Sequence, residues 1–157
     1  MKRNFDPQHI KQLWDRSADG TTFASKIIPK LTLVPEHADF PEATGNDSIL
    51  LHYKASNDQR EPFSNKIANG VLFALSDVCT NMIQAVNDTR RRPRLSVSLD
   101  LKLLSVNKAR VNEDIYIVAK TDRIEGQMGN SHCYFYDKNR RLFAKASQNC
   151  FAIDVYN

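Results

Sequence analysis

The segment 65–114 constrains the fold more than any other part of the sequence. It contains an Asn-Gly pair that opens a long apolar stretch, followed after a basic turn by a stretch of strict alternation. A helix is predicted at about 70–87, because the apolar residues recur at helical spacing. These residues are Val71, Leu75, Val78, Met82 and Val86, with Leu72, Cys79 and Ile83 beside them. Such a broad apolar stripe indicates a helix that is largely enclosed by other structure.

Two features of this helix suit chemistry at a carbonyl group. Asn69 and Gly70 lie at its start, where exposed backbone N–H groups and the helix dipole favour a negative oxygen. Asp77 follows seven residues after Gly70, two turns later, and therefore lies on the same side. An oxyanion-binding helix start beside a carboxylate is what acyl transfer needs. Structural interpretations stay open, since Asn-Gly is a common turn pair and a buried acid can cap a neighbouring loop.

Six strands are predicted around the helix, at 30–34, 49–55, 96–104, 114–121, 131–136 and 142–153, and a short helical segment at 23–28. The strand at 96–104 alternates, with Val97, Leu99, Leu101 and Leu103 on one face and polar residues on the other. One long helix among antiparallel strands predicts an α+β fold in which a single sheet wraps around the central helix.

Length and composition predict one intracellular globular unit. The 157 residues suit a single domain, residues 23–157, preceded by a helical extension at 1–22, in which Asp6 caps a helix at 7–18. No apolar run approaches the ~20 residues of a membrane span, and the first residues lack the apolar core of a secretory signal. Three widely spaced cysteines, Cys79, Cys133 and Cys150, are interpreted as reduced core residues. The expected location is cytoplasmic, with a mitochondrial address open as an alternative.

Charge and histidine spacing give no support for a protein whose main function is nucleic-acid binding, or for a metal site. The net charge of +4 is too mild to indicate a nucleic-acid-binding protein. The run at 90–92 with Arg94 leaves three interpretations open: a solvated loop, a site for an anion such as a nucleotide phosphate, or a nucleic-acid contact. The four histidines have no metal-ligand spacing, so no metal site is predicted.

The order of these motifs resembles that of the hotdog-fold acyl-CoA thioesterases. The residues that carry the resemblance are Asn65, Asn69-Gly70, Asp77, the stretch Ser-Val-Ser-Leu-Asp at 96–100 and the stretch Asn-Glu-Asp-Ile at 112–115. The animal thioesterase superfamily and the bacterial phenylacetate-pathway thioesterases are the most similar groups. The resemblance covers about 23–153 of the chain.

The resemblance implies a hotdog fold and the hydrolysis of a fatty-acyl or related acyl-CoA to free acid and CoA. Asp77 would activate a water molecule or attack directly, while the Asn69 and Gly70 amides hold the thioester oxygen. Ser98 would help to place the water, and Asn65 corresponds to an upstream asparagine of the family. The family also implies a homodimer or homotetramer with sites shared between subunits, and the strand at 96–104 is a candidate for pairing across a dimer.

Coenzyme A would be present as part of the substrate, and no resident cofactor is expected. By resemblance, its contacts lie after the strand at 96–104 and at the turn between the next two strands. These positions are Ser105, Arg123, Ile124, Glu125 and Gly126, with Lys108 or Arg110 as additional phosphate contacts.

One departure from the family pattern leaves two other functions open. The family's His-Gly-Gly triplet is replaced here by Ala68-Asn69-Gly70, so an imidazole is missing while the main-chain donors are retained. A protein that binds acyl-CoA or an acyl chain without turnover is therefore the alternative to a thioesterase. The third possibility is a structural or regulatory subunit that acts through a partner.

Overall fold

The computed structural model describes residues 24–34, 40–43, 47–90 and 92–154, together with Gln12. Almost all of the helix predicted at 7–18 lies outside the described residues, and the division of the chain after residue 22 stays a prediction. The described helices are α1 (Ala24–Ile27) and α2 (Asn69–Asn87). The strands are β1 (Thr32–Val34), β2 (Ser48–Lys54), β3 (Arg94–Leu103), β4 (Asp114–Glu125), β5 (Met128–Tyr136) and β6 (Leu142–Ala152).

The six strands form one antiparallel sheet in the order β1-β2-β4-β5-β6-β3. Helix α2 packs on one face of this sheet and contacts β3, β4, β5 and β6. The α+β prediction, with one sheet around a long helix, is confirmed. The predicted strands are all present with small changes at their ends, the largest being β4, which continues to Glu125.

The main core lies between α2 and the sheet. Side chains from the helix interdigitate with inward-facing residues of the strands, and many have no exposed surface. The largest fully buried ones include Tyr53, Phe135, Phe143, Ile49, Leu51, Ile67, Leu72, Leu75 and Ile83. Truncating a residue such as Leu75 to alanine would remove about 2–5 kcal/mol of stability. Burial of the apolar stripe therefore fixes which side of α2 faces the strands.

A second, smaller cluster covers part of the opposite face of the sheet. Phe40 packs its ring against Tyr116 at 5.3 Å and against Tyr136 at 5.1 Å, measured between ring centroids. Leu50 and Val118 from β2 and β4 complete this cluster. The sheet is therefore covered on both faces at this end, and the long helix covers only one of them.

Helix α2 begins at the Asn-Gly pair, one residue earlier than predicted. Ala68 precedes it with extended backbone angles and gives no side-chain cap. At the other end the backbone N–H of Asp88 donates to Gln84 O at 2.9 Å. Because the first N–H groups of a helix have no partner within the helix, the start of α2 presents backbone donors.

Strand β3 contains a bulge that the alternating pattern did not predict. Ser96 lies opposite Cys150 and Ser98 lies opposite Asn149, so Val97 is an extra residue on β3. The prediction that Val97 shares one face with Leu99, Leu101 and Leu103 is therefore wrong. Leu99 and Leu101 do pack on the core, while Val97 is 60% exposed.

The outer edge of β3 pairs with none of the described strands. Leu95 and Val97 on β3 are more than half exposed, and Leu103 follows at 42%. Helix α2 adds Phe73, which is 46% exposed. An open edge with apolar side chains is a preferred place for association with another chain.

The three cysteines are buried and unpaired, as predicted from their apolar neighbours. None of the helices in the described residues has the length and apolarity needed to cross a membrane. Within the same residues, no group of three or more potential metal ligands is brought together.

Candidate active site

The start of α2 is held by a buried lysine from the loop after β3. The ammonium of Lys108 contacts the carboxylate of Glu61 and donates to Oδ1 of Asn69 at 2.5 Å. Its side chain is only 5% exposed, so both contacts are needed to compensate for the loss of water. Hydrogen bonding to Lys108 lowers the pKa of Glu61, although burial of this carboxyl has the opposite effect, and the Glu61 carboxylate is therefore ionised at neutral pH.

Two hydrogen bonds to backbone carbonyls of the β3–β4 loop also hold the segment before α2. The N–H of Ile67 donates to Ala109 O at 3.0 Å, and Nζ of Lys66 donates to Val106 O at 2.9 Å. The segment that leads into α2 is thus bound to the β3–β4 loop from both sides of Lys108. This fixes the direction in which the first N–H groups of the helix point.

The predicted oxyanion residues are placed at this open helix start. Asn69 and Gly70 are both exposed, and a Cβ built on Gly70 would have nothing within 4 Å. Space is therefore available beside the backbone donors of the first turn. A partial positive charge from the helix dipole adds to the attraction for a negative oxygen there.

Asp77 is held through one of its two carboxylate oxygens. Oδ1 accepts from Ser96 Oγ at 2.5 Å, from Gln148 Nε2 at 2.5 Å and from Asn81 Nδ2 at 3.1 Å. The carboxylate is partly buried between α2, β3 and β6. Asp77 is therefore a fixed acid with a defined orientation.

Ser98 and Asn65 are not beside Asp77. The hydroxyl of Ser98 accepts from Asn149 Nδ2 at 3.0 Å, because the bulge turns Ser98 to the other face of β3. Ser96 occupies the position beside the carboxylate that was predicted for Ser98. Asn65 lies in the exposed loop before α2, where its backbone carbonyl accepts from the N–H of Val111 at 2.9 Å.

Within one chain, the helix start and Asp77 are separated. Seven residues of helix between Gly70 and Asp77 correspond to about 10 Å along the axis. A thioester carbonyl bound at the first turn would need its attacking oxygen within ~3.5 Å of the carbon. One copy of the chain therefore does not bring the two predicted halves of the site together.

The predicted CoA contacts also fall into two places. Ser105 lies just beyond the end of β3, where its hydroxyl accepts from the N–H of Asn107 at 3.1 Å. Arg123, Ile124 and Glu125 end β4, and Gly126 begins the turn to β5. This turn adjoins the other end of β3, because Ala152 N donates to Gln127 O and Ala152 pairs with Arg94. The ten residues of β3 separate the two places by about 30 Å.

The basic run after α2 is mostly engaged in ion pairs. Arg92 and Arg94 both bind Asp88, at 3.0 and 2.9 Å, and their side chains are 10% and 1% exposed. For these two arginines the solvated-loop interpretation is wrong. Arg90 is exposed and lines a cleft of about 450 Å³ that also includes Gly126.

Four residues of the site were not predicted in their roles: Ser96, Asn81, Gln148 and Lys108. A signal existed for two of them. Asn81 is four residues after Asp77 and therefore on the same helix face. Gln148 is the polar member of an inward-facing series on β6 that otherwise reads Ala146, Cys150 and Ala152. Lys108, which was considered only as a phosphate contact, carried no local signal of burial.

Comparison of the fold with solved structures finds extensive similarity at low sequence identity. Thioesterase superfamily member 2 from zebrafish has a TM-score of 0.74 at 19% identity, covering 93% of this chain and 97% of that chain. A thioesterase from Haemophilus influenzae has a TM-score of 0.73 at 13% identity, covering 99% and 96%. A hypothetical thioesterase from Streptococcus pneumoniae, solved with coenzyme A, has a TM-score of 0.63 at 12% identity, covering 81% and 91%.

Comparison of the sequence alone does not find this similarity. No family model matches the chain, and no curated protein matches it. The likeness rests on the arrangement of one long helix and an antiparallel sheet over nearly the whole length of the neighbours. The chain therefore has the hotdog fold of these thioesterase structures, as its sequence predicted.

Proposed function

We propose that this protein is an acyl-CoA thioesterase in which Asp77 acts as the general base. The observation that carries the proposal is the Asp77 carboxylate, bound through Oδ1 on the central helix of a fold shared with thioesterases. Its other oxygen, Oδ2, has no partner among the described residues. A carboxylate held in this way can accept a proton from water without first breaking a contact.

The proposed reaction is hydrolysis of the thioester. Asp77 takes a proton from water as the water oxygen forms a bond to the carbonyl carbon, and the carbonyl electron pair moves to its oxygen. Backbone N–H groups of Asn69 and Gly70 bind that oxyanion. The carbonyl then re-forms as the C–S bond breaks, and the sulfur leaves with the electron pair and receives the proton from Asp77. The products are a free acid and the thiol of CoA.

The distance between the start of α2, at Asn69 and Gly70, and Asp77 of the same chain supports a dimer as the active form. Helix α2 and strand β3 run in opposite directions, since Asp88 at the end of α2 pairs with Arg94 at the start of β3. A two-fold axis at the open edge of β3 would reverse the second helix. It would then bring Asn69 and Gly70 of one copy toward Asp77 of the other, and complete two identical sites.

The same axis accounts for the two groups of expected CoA contacts. Antiparallel β3 strands would place Ser105 of one copy near the start of β3 in the other, where the β4–β5 turn and its cleft lie. Arg90 and Arg123 at that end are exposed cations suited to the phosphates of CoA. The CoA-bound neighbour from Streptococcus pneumoniae supports this ligand class.

Free-thiol release from short, medium, long and aromatic acyl-CoAs tests the proposal. We expect turnover with at least one class, and a loss of about 100-fold or more in Asp77→Asn with CoA affinity retained. The matched control is Asp122→Asn, the same change in the Asp122–His132 pair, away from the polar contacts of Asp77. Hydrolysis that is unchanged in Asp77→Asn would contradict the mechanism.

A second function, binding of acyl-CoA without turnover, is favoured by Ala68 at the position of the family histidine. Calorimetric titration with CoA esters separates the two functions. Binding in the micromolar range with no thiol release from any substrate would support the binding protein. Absence of both would support the structural or regulatory subunit.

A further inference from the structure

Gln148 connects strand β6 to the carboxylate of Asp77. Its side chain has no exposed surface, although it is polar and lies among small apolar residues. Nε2 donates to Asp77 Oδ1 at 2.5 Å and to Ser96 Oγ at 2.6 Å, while Oε1 contacts the hydroxyl of Thr80. A buried carboxamide with its hydrogen-bonding groups engaged has little freedom to rotate.

The hydrogen positions in this network follow from the chemistry of its members. An ionised carboxylate only accepts, so the amide nitrogen of Gln148 must face Asp77 and its oxygen must face Thr80. Nε2 lies 2.5 and 2.6 Å from two oxygens that are themselves 2.5 Å apart, so one N–H of the amide points between Asp77 Oδ1 and Ser96 Oγ and is shared by them. Ser96 Oγ accepts from this amide, and its own proton is therefore directed to Asp77.

Asn81 makes the same pair of contacts from the helix. Its Nδ2 donates to Asp77 Oδ1 at 3.1 Å and to Ser96 Oγ at 3.2 Å, and its Oδ1 accepts from Cys150 Sγ at 3.1 Å. Burial raises the pKa of Cys150 to about 11, so this residue carries the thiol proton at neutral pH. Two carboxamides therefore bridge the carboxylate and the serine, each oriented by a donor behind it.

As a consequence, the two oxygens of the Asp77 carboxylate differ in the number of hydrogen bonds that they accept. Oδ1 receives three hydrogen bonds, from Ser96, Asn81 and Gln148, whereas Oδ2 receives none from the described residues. An oxygen that already accepts three donors has no lone pair well placed for a further proton. Only Oδ2 is left to face a water molecule or substrate.

We propose that Gln148 is a positioning residue that fixes Asp77 with Oδ2 as the reacting oxygen, with Asn81 and Ser96 completing the same device. This inference rests on the proposed function of Asp77. Gln148 does not itself touch the substrate. It acts by preventing rotation of the carboxylate, and a small error in the position of a reacting group is costly in rate.

The test compares identical substitutions at two buried glutamines. Gln148→Met removes the amide at nearly constant volume, and Gln84→Met does the same at a fully buried glutamine that bonds Arg94 rather than Asp77. We expect kcat to fall by about 10- to 100-fold in Gln148→Met, with KM within about twofold of the wild type. Gln84→Met should keep kcat, even if its melting temperature falls by a similar amount.

Two further variants guard against a purely structural effect. Gln148→Glu keeps the side-chain shape but places a second acid against Asp77, and should lose kcat to a similar extent. Adding Gln148→Met to Asp77→Asn should cause no additional loss, because the glutamine acts through the aspartate.

The experiment distinguishes a failure of the role inferred for Gln148 from a failure of the proposed function. An active wild type with an inactive Asp77→Asn variant, but with equal kcat in Gln148→Met and Gln84→Met, would overturn the role of Gln148 alone. A wild type without turnover on any acyl-CoA would overturn the proposed function, and with it the reaction that Gln148 is inferred to serve.

Discussion

The ion pair between Lys108 and Glu61, beside the start of α2, predicts that substitutions of its two members lower the free energy of unfolding by different amounts. Lys108 is 5% exposed and Glu61 is 29% exposed. Glu61→Ala leaves a buried ammonium with only Asn69 Oδ1, and should lower the free energy of unfolding by about 3 kcal/mol. Lys108→Met leaves a carboxylate that water reaches and that still accepts from Ser64 Oγ at 3.2 Å. We expect this second change to remove only about 1 kcal/mol.

Urea unfolding of the wild type, the two single variants and the double variant measures this asymmetry at one fixed protein concentration. The double variant should lose about 1.5 kcal/mol less than the sum of the single losses, because Lys108→Met removes the charge that Glu61→Ala leaves unpaired. Equal losses, a reversed order or strict additivity would refute the reasoning. Any of these would mean that Lys108 does not depend on Glu61 for its burial.

The same pair has a defined pH dependence. Hydrogen bonding to Lys108 places the folded-state pKa of Glu61 below its ordinary value of 4.5. The stability it contributes is therefore complete above the unfolded pKa and is lost as the pH falls through the folded pKa. The difference between wild type and Glu61→Ala should be constant near neutral pH and shrink below about pH 4.5. A difference that grows on acidification would contradict this sign.

Two further predictions concern packing and association. Gly129→Ala should destabilise by about 2 kcal/mol, or about 5 °C in Tm, because a Cβ there would lie 2.8 Å from Arg94 Nη1 and against Gln84. These two side chains are buried and hydrogen-bonded to each other, so neither can move aside freely. Gly70→Ala, with open space, should be neutral or slightly stabilising by thermal melting, and similar losses at both sites would rule out the steric explanation. Val97→Lys should shift the protein toward monomer in sedimentation velocity and reduce turnover in parallel. An unchanged sedimentation coefficient would exclude the β3 edge as the interface.

The elements that the sequence predicted well are those whose signal is periodic. The apolar spacing from Val71 to Val86 located α2 within one residue, because burial of a helical stripe leaves a repeated pattern. The same pattern placed Asp77 and the Asn-Gly pair on this helix, where the structure has them. Their positions depend on the helix itself rather than on which other strands approach it.

The contacts around the acid could not be predicted in this way. Gln148 lies 71 residues from Asp77 in the chain, and Lys108 lies 39 residues from Asn69. The sequence around Gln148 or Lys108 does not indicate which residue each one contacts, because the contacts depend on the order of the strands in the sheet. The inward position of Gln148 on β6 was visible in principle, as a polar residue in an apolar alternation.

The bulge in β3 explains why Ser96, and not Ser98, lies beside Asp77, and it also allows this strand to contribute to the core. Ser96 and Leu99 are three residues apart, and strict alternation would put them on opposite faces of the sheet. The extra residue Val97 restores both to the side of α2, so Ser96 reaches Asp77 while Leu99 packs on the core. Without the bulge this strand could contribute either its leucines to the core or its serine to the carboxylate. Deleting Val97 would leave Ser96 and Leu99 two residues apart, so a regular strand without the bulge would also hold both on the side of α2. We therefore expect that deletion to keep the contact between Ser96 and Asp77, whereas regular pairing of the complete strand would lose either that contact or the packing of Leu99.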